Sequence, residues 1–147
     1  MKKIQDELIL LLNQALRLEH AARIQYLAHA EMLKGVNAEA LIERLQEIAS
    51  DEEKHEKTFR TLIGDYLGGE PTMELAVTHR AQELPAILDI NLKGEKEAID
   101  FYKQIYRKIV DNKDSFPYCF EALEHGVRHI ILDEEEHVAE LSLLIGK

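Results

Sequence analysis

Two short strings in the sequence repeat one residue pattern, and that pattern contains side chains that bind metal ions. Residues 51–55 read Asp-Glu-Glu-Lys-His, and residues 133–137 read Asp-Glu-Glu-Glu-His. Residues three positions apart in a helix lie on the same face, one turn from each other, so a Glu-x-x-His pair can hold one metal ion from one helix. The two pairs are Glu52 with His55 and Glu134 with His137. Two copies indicate two ions, provided that other helices supply further oxygen ligands.

Those further oxygen ligands are predicted at Glu19 and Glu95. Apolar residues recur at heptad spacing through four segments of the chain, which is typical of helices that pack in a bundle. A glutamate interrupts each apolar series near its middle, and in the two segments without a Glu-x-x-His pair these are Glu19 and Glu95. We therefore predict six metal ligands in one layer: Glu19, Glu52, His55, Glu95, Glu134 and His137.

Such a layer needs compensating charge, because burying an unpaired charge costs several kcal/mol. Four ionised glutamates carry −4, and two divalent ions carry +4, so two ions neutralise the layer while the imidazoles stay neutral. Oxygen and imidazole ligands without thiolate favour iron or manganese, with zinc as a substitute. A single Glu-x-x-His pair is expected by chance in a chain this rich in Glu. Its repetition in phase with the apolar series is what favours metal ligands.

Four residues near the predicted ligands are candidates for supporting roles. Tyr26 and Tyr102 each follow a ligand glutamate by seven residues, and we predict that their hydroxyls bind ligand carboxylates of the opposite helix. Asp51 and Asp133 either orient a ligand histidine or an adjacent side chain, or lie outward as solvated carboxylates.

The remaining histidines are weaker candidates. His125 and His129 form an i, i+4 pair away from the apolar series, and ordinary exposed histidines are favoured there over a surface metal site. His29 continues the apolar series of the first segment, and a place in the core or at the rim of the site is favoured over ligation.

The elements that must position these residues are four helices in a single domain over residues 1–147. The predicted helices run from Ile4 to Leu33, from a cap at Asn37 to Leu67, from Leu84 to Val110, and from a cap at Asp114 or Ser115, with Pro117 in the first turn, to Gly146. The first and third connections are short, so they join antiparallel neighbours. The connection over residues 68–82 is long enough to cross the bundle. The prediction is all-α: two helical hairpins joined by one long crossover.

Composition excludes several classes of partner. The formal net charge of −10 disfavours nucleic acid and anionic membrane surfaces. No apolar run reaches membrane-spanning length, and the N-terminus is typical of a helix start rather than a signal peptide. Cys119 is the only cysteine, so a disulfide framework or a zinc–thiolate site is excluded. We expect a cytoplasmic protein.

These residues resemble the ferritin-like di-iron carboxylate proteins, first bacterioferritin and second rubrerythrin, over nearly the whole chain. The resemblance implies a ferritin-like four-helix bundle that binds two iron ions. It implies that Glu19 and Glu95 are terminal ligands, that Glu52 and Glu134 bridge the ions, and that His55 and His137 complete the two sites.

Three positions depart from the pattern of these families. Haem-bearing bacterioferritins carry Met directly after the bridging glutamate of the second helix, where this chain has Glu53, so no haem is expected. Bacterioferritin continues into a fifth helix that helps to close a 24-subunit shell, whereas Lys147 is the tenth residue after His137, which puts cage assembly in doubt. Rubrerythrins carry a second functional Glu where this chain has Ala98.

The function implied is oxidation of Fe(II) with dioxygen or peroxide, as in a ferroxidase of iron handling and storage. Two alternatives stay open: a rubrerythrin-like peroxidase or oxidase that turns over in place, and a non-enzymatic bundle that binds iron or manganese. The expected partners are Fe(II), dioxygen or hydrogen peroxide, and further copies of the chain in at least a dimer.

Overall fold

The computed structural model describes residues 2–146 and confirms the all-α four-helix bundle. The helices are α1 (Lys2–Met32), α2 (Ala38–Thr61), α3 (Leu84–Asp111) and α4 (Phe120–Ile145); a π-helical segment at Leu62–Tyr66 extends α2, and a 3₁₀ turn at Lys113–Ser115 precedes α4. None of the helices within residues 2–146 has an apolar stretch long enough to cross a membrane.

The core consists of two hydrophobic clusters stacked along the bundle. α1 packs mainly against α2, and α3 packs mainly against α4, which are the two predicted hairpins. The cluster at one end includes Leu12, Phe59, Phe116 and Leu123, and the cluster at the other end includes Leu45, Ile48, Ile87 and Leu141. The middle of all four helices, where the glutamates interrupt the apolar series, lies between the two clusters.

The long crossover, residues 67–83, runs along α1 without regular secondary structure. The side chain of Asn13 donates to the carbonyl of Glu70 and accepts from the N–H of Thr72. Farther along, the N–H of Ala76 donates to the carbonyl of Arg17 at 3.0 Å. These bonds satisfy backbone groups of an irregular segment and hold it on α1 while it passes from the end of α2 to the start of α3.

The predicted start of the fourth helix is wrong. Asp114 and Ser115 lie in the 3₁₀ turn, Pro117 lies in a further turn, and α4 begins at Phe120. Phe116 is buried in the core with φ −128° and ψ 60°, outside the helical region. The pyrrolidine ring of a proline disfavours helical geometry in the preceding residue, so the chain winds once more before the helix starts.

The second helix also differs from the prediction at both ends. Asn37 occupies the predicted cap position, but its side chain makes no capping hydrogen bond within the described part of the chain. At the other end, the π-helical turn is wider than an α-helical one and changes the phase of the heptad pattern. Ile63 is therefore buried, whereas Tyr66, seven residues after the buried Phe59, is 48% exposed.

Candidate metal centre

All six predicted ligands meet in one buried layer between the two hydrophobic clusters, and each exposes 3% of its surface or less. Their oxygen and nitrogen atoms form two overlapping groups, in each of which the ligand atoms lie within 4.8 Å of one another. One group is Glu19, Glu52, His55 and Glu134, and the other is Glu52, Glu95, Glu134 and His137. Two cation positions that share Glu52 and Glu134 follow from this arrangement.

The distances distinguish central from flanking carboxylates. Glu134 Oε1 lies 3.3 Å from His55 Nδ1 and 3.2 Å from His137 Nδ1. Glu52 Oε1 lies 3.2 Å and 3.7 Å from the same two nitrogens. A carboxylate placed between both imidazoles can bridge two ions.

The other two glutamates each approach one imidazole at 3.5 Å: Glu19 approaches His55, and Glu95 approaches His137. Such a carboxylate can serve one ion.

The centre carries unsatisfied polar atoms that fit a pair of cations. Within residues 2–146, one buried atom of each of the six side chains has no hydrogen-bond partner: Glu19 Oε2, Glu52 Oε1, His55 Nδ1, Glu95 Oε2, Glu134 Oε1 and His137 Nδ1. Native proteins rarely leave buried polar atoms unsatisfied, because each such atom costs about 1–3 kcal/mol. Oxygen and imidazole donors without thiolate suit iron, so the residues present fit a di-iron centre.

Asp51 and Asp133 orient the two histidines crosswise. The ring Nε2 of His55 on α2 donates to Asp133 Oδ2 on α4 at 2.8 Å, and the ring Nε2 of His137 on α4 donates to Asp51 Oδ2 on α2 at 2.9 Å. A carboxylate can only accept here, so each imidazole carries a proton on Nε2. Burial lowers the pKa of both imidazoles, but the adjacent glutamates outweigh it and raise that pKa, for His137 to about 11, so Nδ1 is protonated as well in the metal-free protein. A bound cation would displace that second proton and take the Nδ1 lone pair. Of the two alternatives left open for these aspartates, the structure selects the orienting one.

The two tyrosines are also crossed between hairpins. The hydroxyl of Tyr26 on α1 donates to Glu95 Oε1 on α3, and that of Tyr102 on α3 donates to Glu19 Oε1 on α1, each at 2.7 Å. These bonds fix one oxygen of each flanking carboxylate. The second oxygen, Oε2, stays free to bind a cation.

Burial and mutual repulsion shift the titration of the layer. Burial, with the nearby charge of Glu134, raises the pKa of Glu19 to about 7 and that of Glu95 to about 8, and the pKa of Glu52 also rises well above its usual range. Burial alone would raise the pKa of Glu134 too, but the protonated imidazoles of His137 and His55, whose Nδ1 atoms lie 3.2 and 3.3 Å from its Oε1, outweigh it and hold that pKa well below its usual range. Protons therefore balance the layer when no cation does, and cation binding displaces them.

Sequence reasoning missed a buried ion pair beside the centre. Glu56, one residue after His55, is only 4% exposed, and it accepts a hydrogen bond from Arg23 on α1. Its other oxygen lies 3.5 Å from His20 Nε2 and 3.8 Å from an Arg60 nitrogen. The available signal was spacing, because Glu56 follows Glu52 by four residues and so lies near the same helix face.

A closed ring of four hydrogen bonds was missed as well, and it ties the crossover to the bundle. The N–H of His79 donates to Gln25 Oε1, Gln25 Nε2 donates to Asn91 Oδ1, Asn91 Nδ2 donates to His29 Nδ1, and His29 Nε2 donates to the carbonyl of His79. The backbone groups of His79 set the direction of every bond in the ring. His29 is buried in this ring, outside both ligand groups.

The second histidine pair lies apart from the centre. The rings of His125 and His129 are 5.0 Å apart on α4, and Arg128 contacts His125. Neither histidine belongs to a metal-ligand group in the described part of the chain.

Comparison with known proteins agrees with this geometry. The ferritin-like domain family matches residues 9–147. A ferritin-like di-iron carboxylate protein from Bacillus anthracis superposes with a TM-score of 0.90 at 26% identity, over 99% of this chain and 100% of that one. No curated protein matches the chain significantly.

Two bacterioferritins share the fold. That of Rhodobacter capsulatus, described with a metal-free dinuclear site and a haem iron, has a TM-score of 0.85 at 24% identity, over 95% of this chain and 84% of that one. That of Desulfovibrio desulfuricans, described with a di-iron site, has a TM-score of 0.83 at 24% identity, over 98% and 81%. Because the family match spans nearly all of the sequence, the chain belongs to the ferritin-like domain family, as its resemblance to bacterioferritin predicted.

Proposed function

We propose that this chain is a ferroxidase-type di-iron protein, which binds two Fe(II) ions in the buried centre and oxidises them with dioxygen or peroxide. The observation that carries the proposal is the pair of overlapping ligand groups, in which six side chains from four helices each direct one unpartnered atom into the same layer. The family match supports iron handling in general.

Each ligand has a distinct role in the proposal. Glu52 and Glu134 bridge the two ions, because each lies near both imidazoles. Glu19 with His55 completes one site, and Glu95 with His137 completes the other.

The residues around the ligands fix geometry and move protons. The aspartates fix a proton on Nε2 of both imidazoles, so that Nδ1 is the nitrogen that would bind a cation, and the tyrosines hold the flanking carboxylates in place. Two Fe(II) ions supply the two electrons that, with two protons, reduce dioxygen to hydrogen peroxide or hydrogen peroxide to two waters. Glu19 and Glu95, whose pKa values are raised by burial, are the groups that release protons when Fe(II) binds and can take them back.

We expect the protein to bind no haem, because the residue after Glu52 is an exposed carboxylate, Glu53, rather than a methionine thioether that could ligate haem iron. It places the protein in the cytoplasm as a homo-oligomer, at least a dimer. A related fold in Bacteroides fragilis, a thioferritin at 24% identity, is described as a dodecamer.

Stopped-flow absorption tests the proposal directly. Protein loaded anaerobically with two Fe(II) per chain is mixed with dioxygen or with hydrogen peroxide, and Fe(III) formation is followed in the near ultraviolet. We expect rapid oxidation in the parent chain, loss of it in Glu52→Ala, and retention in Glu53→Ala, which changes the exposed neighbour. An absence of oxidation with either oxidant, despite two bound ions, would leave a binding bundle and contradict the enzymatic proposal.

Repeated additions separate storage from turnover in place. If iron leaves the centre after oxidation, further Fe(II) is oxidised without any added reductant. If the centre turns over in place, activity with hydrogen peroxide needs a reductant after the first two equivalents. Native mass spectrometry of the same samples gives the assembly size, since a dimer cannot enclose a mineral.

A further inference from the structure

The hydrogen-bonded ring around His29 joins three parts of the molecule. Gln25 and His29 belong to α1, Asn91 belongs to α3, and His79 contributes its backbone N–H and carbonyl from the crossover. Of crossover residues 77–82, His79 is the only one that forms a hydrogen bond to a helix within residues 2–146. The ring is therefore the polar attachment of the second half of the crossover.

The backbone groups of His79 fix the protonation of His29. A backbone N–H only donates, so Gln25 turns Oε1 toward it and directs Nε2 at Asn91 Oδ1. Asn91 then directs Nδ2 at His29 Nδ1, at 2.9 Å, and that nitrogen accepts with its lone pair. The proton of the imidazole lies on Nε2, which donates to the carbonyl of His79 at 2.8 Å. A closed ring of this polarity requires a neutral imidazole.

A second proton on His29 cannot be accommodated by turning the two amides. Protonated Nδ1 would face Asn91 Nδ2, so two donors would meet. Reversing the Asn91 amide moves that conflict to Gln25, and it also turns an oxygen toward the carbonyl of Ile87, to which Nδ2 donates at 2.8 Å. Reversing Gln25 as well moves the conflict to the N–H of His79, which can only donate. Every arrangement leaves one pair of donors facing each other.

The crossover is the part of the ring that can yield. His29 and Asn91 are each 3% exposed and lie on long helices, whereas His79 is exposed on a segment without regular secondary structure. A groove of about 390 Å³ between α1 and residues 78–82 leaves that segment room to move. Segments with few buried contacts open at a lower free energy than packed helices. Breaking the ring therefore shifts the crossover rather than α1 or α3.

The surroundings of His29 set the direction of its titration. Burial lowers its pKa below the ordinary 6.5, against the hydrogen bond to the carbonyl of His79, and charge on the His79 imidazole lowers it further. Arg80 of the crossover lines the same groove, α1 and α3 present the amides of Gln25 and Asn91, and α2 and α4 add apolar side chains to the adjacent core cluster. No carboxylate pairs with His29 in residues 2–146. The stability that the neutral imidazole gives is thus complete above pH 6.5, and it is lost as the pH falls through the lowered pKa.

We propose that the hydrogen-bonded ring is an acid-sensitive latch, which holds the second half of the crossover on α1 and α3 while His29 is neutral and releases it when His29 is protonated. None of the six predicted metal ligands belongs to the ring, so the latch does not depend on the proposed function. The bonds to Asn13 and Arg17 keep the first half of the crossover on α1 when the second half is released.

Amide hydrogen exchange of the metal-free chain, read by NMR from about pH 7 down to about pH 4.5, tests the latch. The N–H of His79 donates within the ring, whereas those of Thr72 and Ala76 donate to α1 in the first half of the crossover. We expect the protection factor of the His79 amide to fall by about tenfold or more, and those of Thr72 and Ala76 to stay within about twofold. The midpoint of the fall should match the titration of the His29 imidazole in the same spectra.

Two variants separate His29 from the exposed imidazole of His79. His79→Gln removes a titrating side chain but keeps the backbone groups that form the ring, so the pH response should remain. His29→Gln offers a donor and an acceptor but takes up no proton in this range, so protection of the His79 amide should no longer depend on pH.

A third variant supplies the opposite polarity. Asn91→Asp presents a carboxylate, which accepts both from Gln25 Nε2 and from a proton on His29 Nδ1. The ring is then complete with a charged imidazole, so we expect the His79 amide to stay protected at the acid end of the range, where the parent loses protection. This variant keeps the latch testable if His29→Gln does not fold.

Unchanged protection of the His79 amide across the titration of His29 would overturn the latch, and so would an imidazole that stays neutral throughout the range. A fall that persists in His29→Gln, or that disappears in His79→Gln, would assign the response to another group and overturn the assignment to His29. Equal loss of protection at Thr72 and Ala76 would indicate loosening of the whole crossover and would contradict the release of one half.

Discussion

The two hairpins build matching halves of the candidate metal centre, but the residues that surround those halves differ in character. The contacts at the ligands come in pairs of nearly equal length, 2.7 Å for both tyrosine hydroxyls and 2.8 and 2.9 Å for both histidine–aspartate bonds. The residues next to these contacts differ between the hairpins. The position four residues after the flanking glutamate is Arg23 in α1 and Ile99 in α3. The position directly after the ligand histidine is Glu56 in α2 and Val138 in α4.

The first hairpin thus has an ion pair beside the centre, and the corresponding two positions of the second hairpin are aliphatic. Glu56 and Ile99 are both buried, whereas the Arg23 side chain is 31% exposed, so the ion pair extends from the interior of the bundle to its surface. A second difference concerns the residue before the flanking glutamate, which is Leu18 in α1 and Gly94 in α3. The comparison teaches that the internal repeat constrains the side chains that face the centre, while packing one layer away can be achieved in different ways.

The largest expected effect separates bridging from flanking carboxylates. Glu134→Ala should abolish tight binding of both ions, since its carboxylate lies near both imidazoles, whereas Glu19→Ala and Glu95→Ala should each remove one ion and keep the other. We expect a loss of more than about 100-fold in affinity for each lost site, beyond the effect of residues that only orient ligands. Calorimetric titration with Co(II) gives the stoichiometry, and two normal sites in Glu134→Ala would contradict the bridge.

The next effect tests the contrast between the ion pair and the aliphatic packing. Arg23→Ala leaves the buried Glu56 carboxylate without its closest partner. Because Arg23 is itself 31% exposed, the free energy of unfolding should fall by about 1–3 kcal/mol. The double variant Arg23→Ile with Glu56→Val copies the second hairpin and should restore at least the parent stability, because buried ion pairs can be replaced by apolar residues without loss. Urea unfolding of metal-free protein measures both.

A double variant as unstable as Arg23→Ala would show that the first hairpin depends on this ion pair for its packing. The matched control is Ile99→Ala in the second hairpin, which should cost about 2–5 kcal/mol through the cavity it leaves.

A smaller effect tests the crossed orientation of the histidines. Asp133→Asn should weaken the ion held by His55, and Asp51→Asn should weaken the ion held by His137, each by about 10–100-fold. The weakened site therefore belongs to the hairpin opposite the substitution. Combining each variant with Glu19→Ala or Glu95→Ala isolates one ion at a time, and weakening on the substituted hairpin's own side would contradict the crossed pairing.

The smallest effect is a pH dependence that differs between the halves. Burial raises the pKa of Glu19 to about 7 and of Glu95 to about 8, above the ordinary 4.5, so the folded metal-free protein binds more protons than the unfolded chain over this range. Its stability should therefore fall as pH rises from about 4.5 to 8. The stabilisation that bound metal gives to the folded protein should rise with pH over the same range, since cations replace those protons.

Melting temperatures of metal-free protein at several pH values check the sign. Glu95→Gln should remove more of the slope between pH 7 and 8 than Glu19→Gln, because the pKa of Glu95 is the higher of the two. A metal-free protein that melts at a higher temperature at pH 8 than at pH 5 would contradict the assignment.

Much of the fold and the layer of predicted ligands could be read from the sequence, because both depend on helical periodicity, which is a local property. The spacing of Glu52 to His55 and of Glu134 to His137 places each pair on one helix face whatever the rest of the chain does. The glutamates at positions 19 and 95 could be found because they interrupt otherwise apolar series. The length of the connection before α3 was enough to predict the crossover.

Other features were decided only when the helices came together. The alignment of α2 against α4 pairs Asp51 with His137 of α4 rather than with a histidine of its own helix. The same alignment pairs Asp133 with His55 of α2. The burial of Glu56 and the ring through Asn91 depend on which helix faces lie opposite each other and on where the crossover rests. Periodicity reports the face of a single helix. The partner across that face depends on axial alignment and packing, which the tertiary structure alone decides.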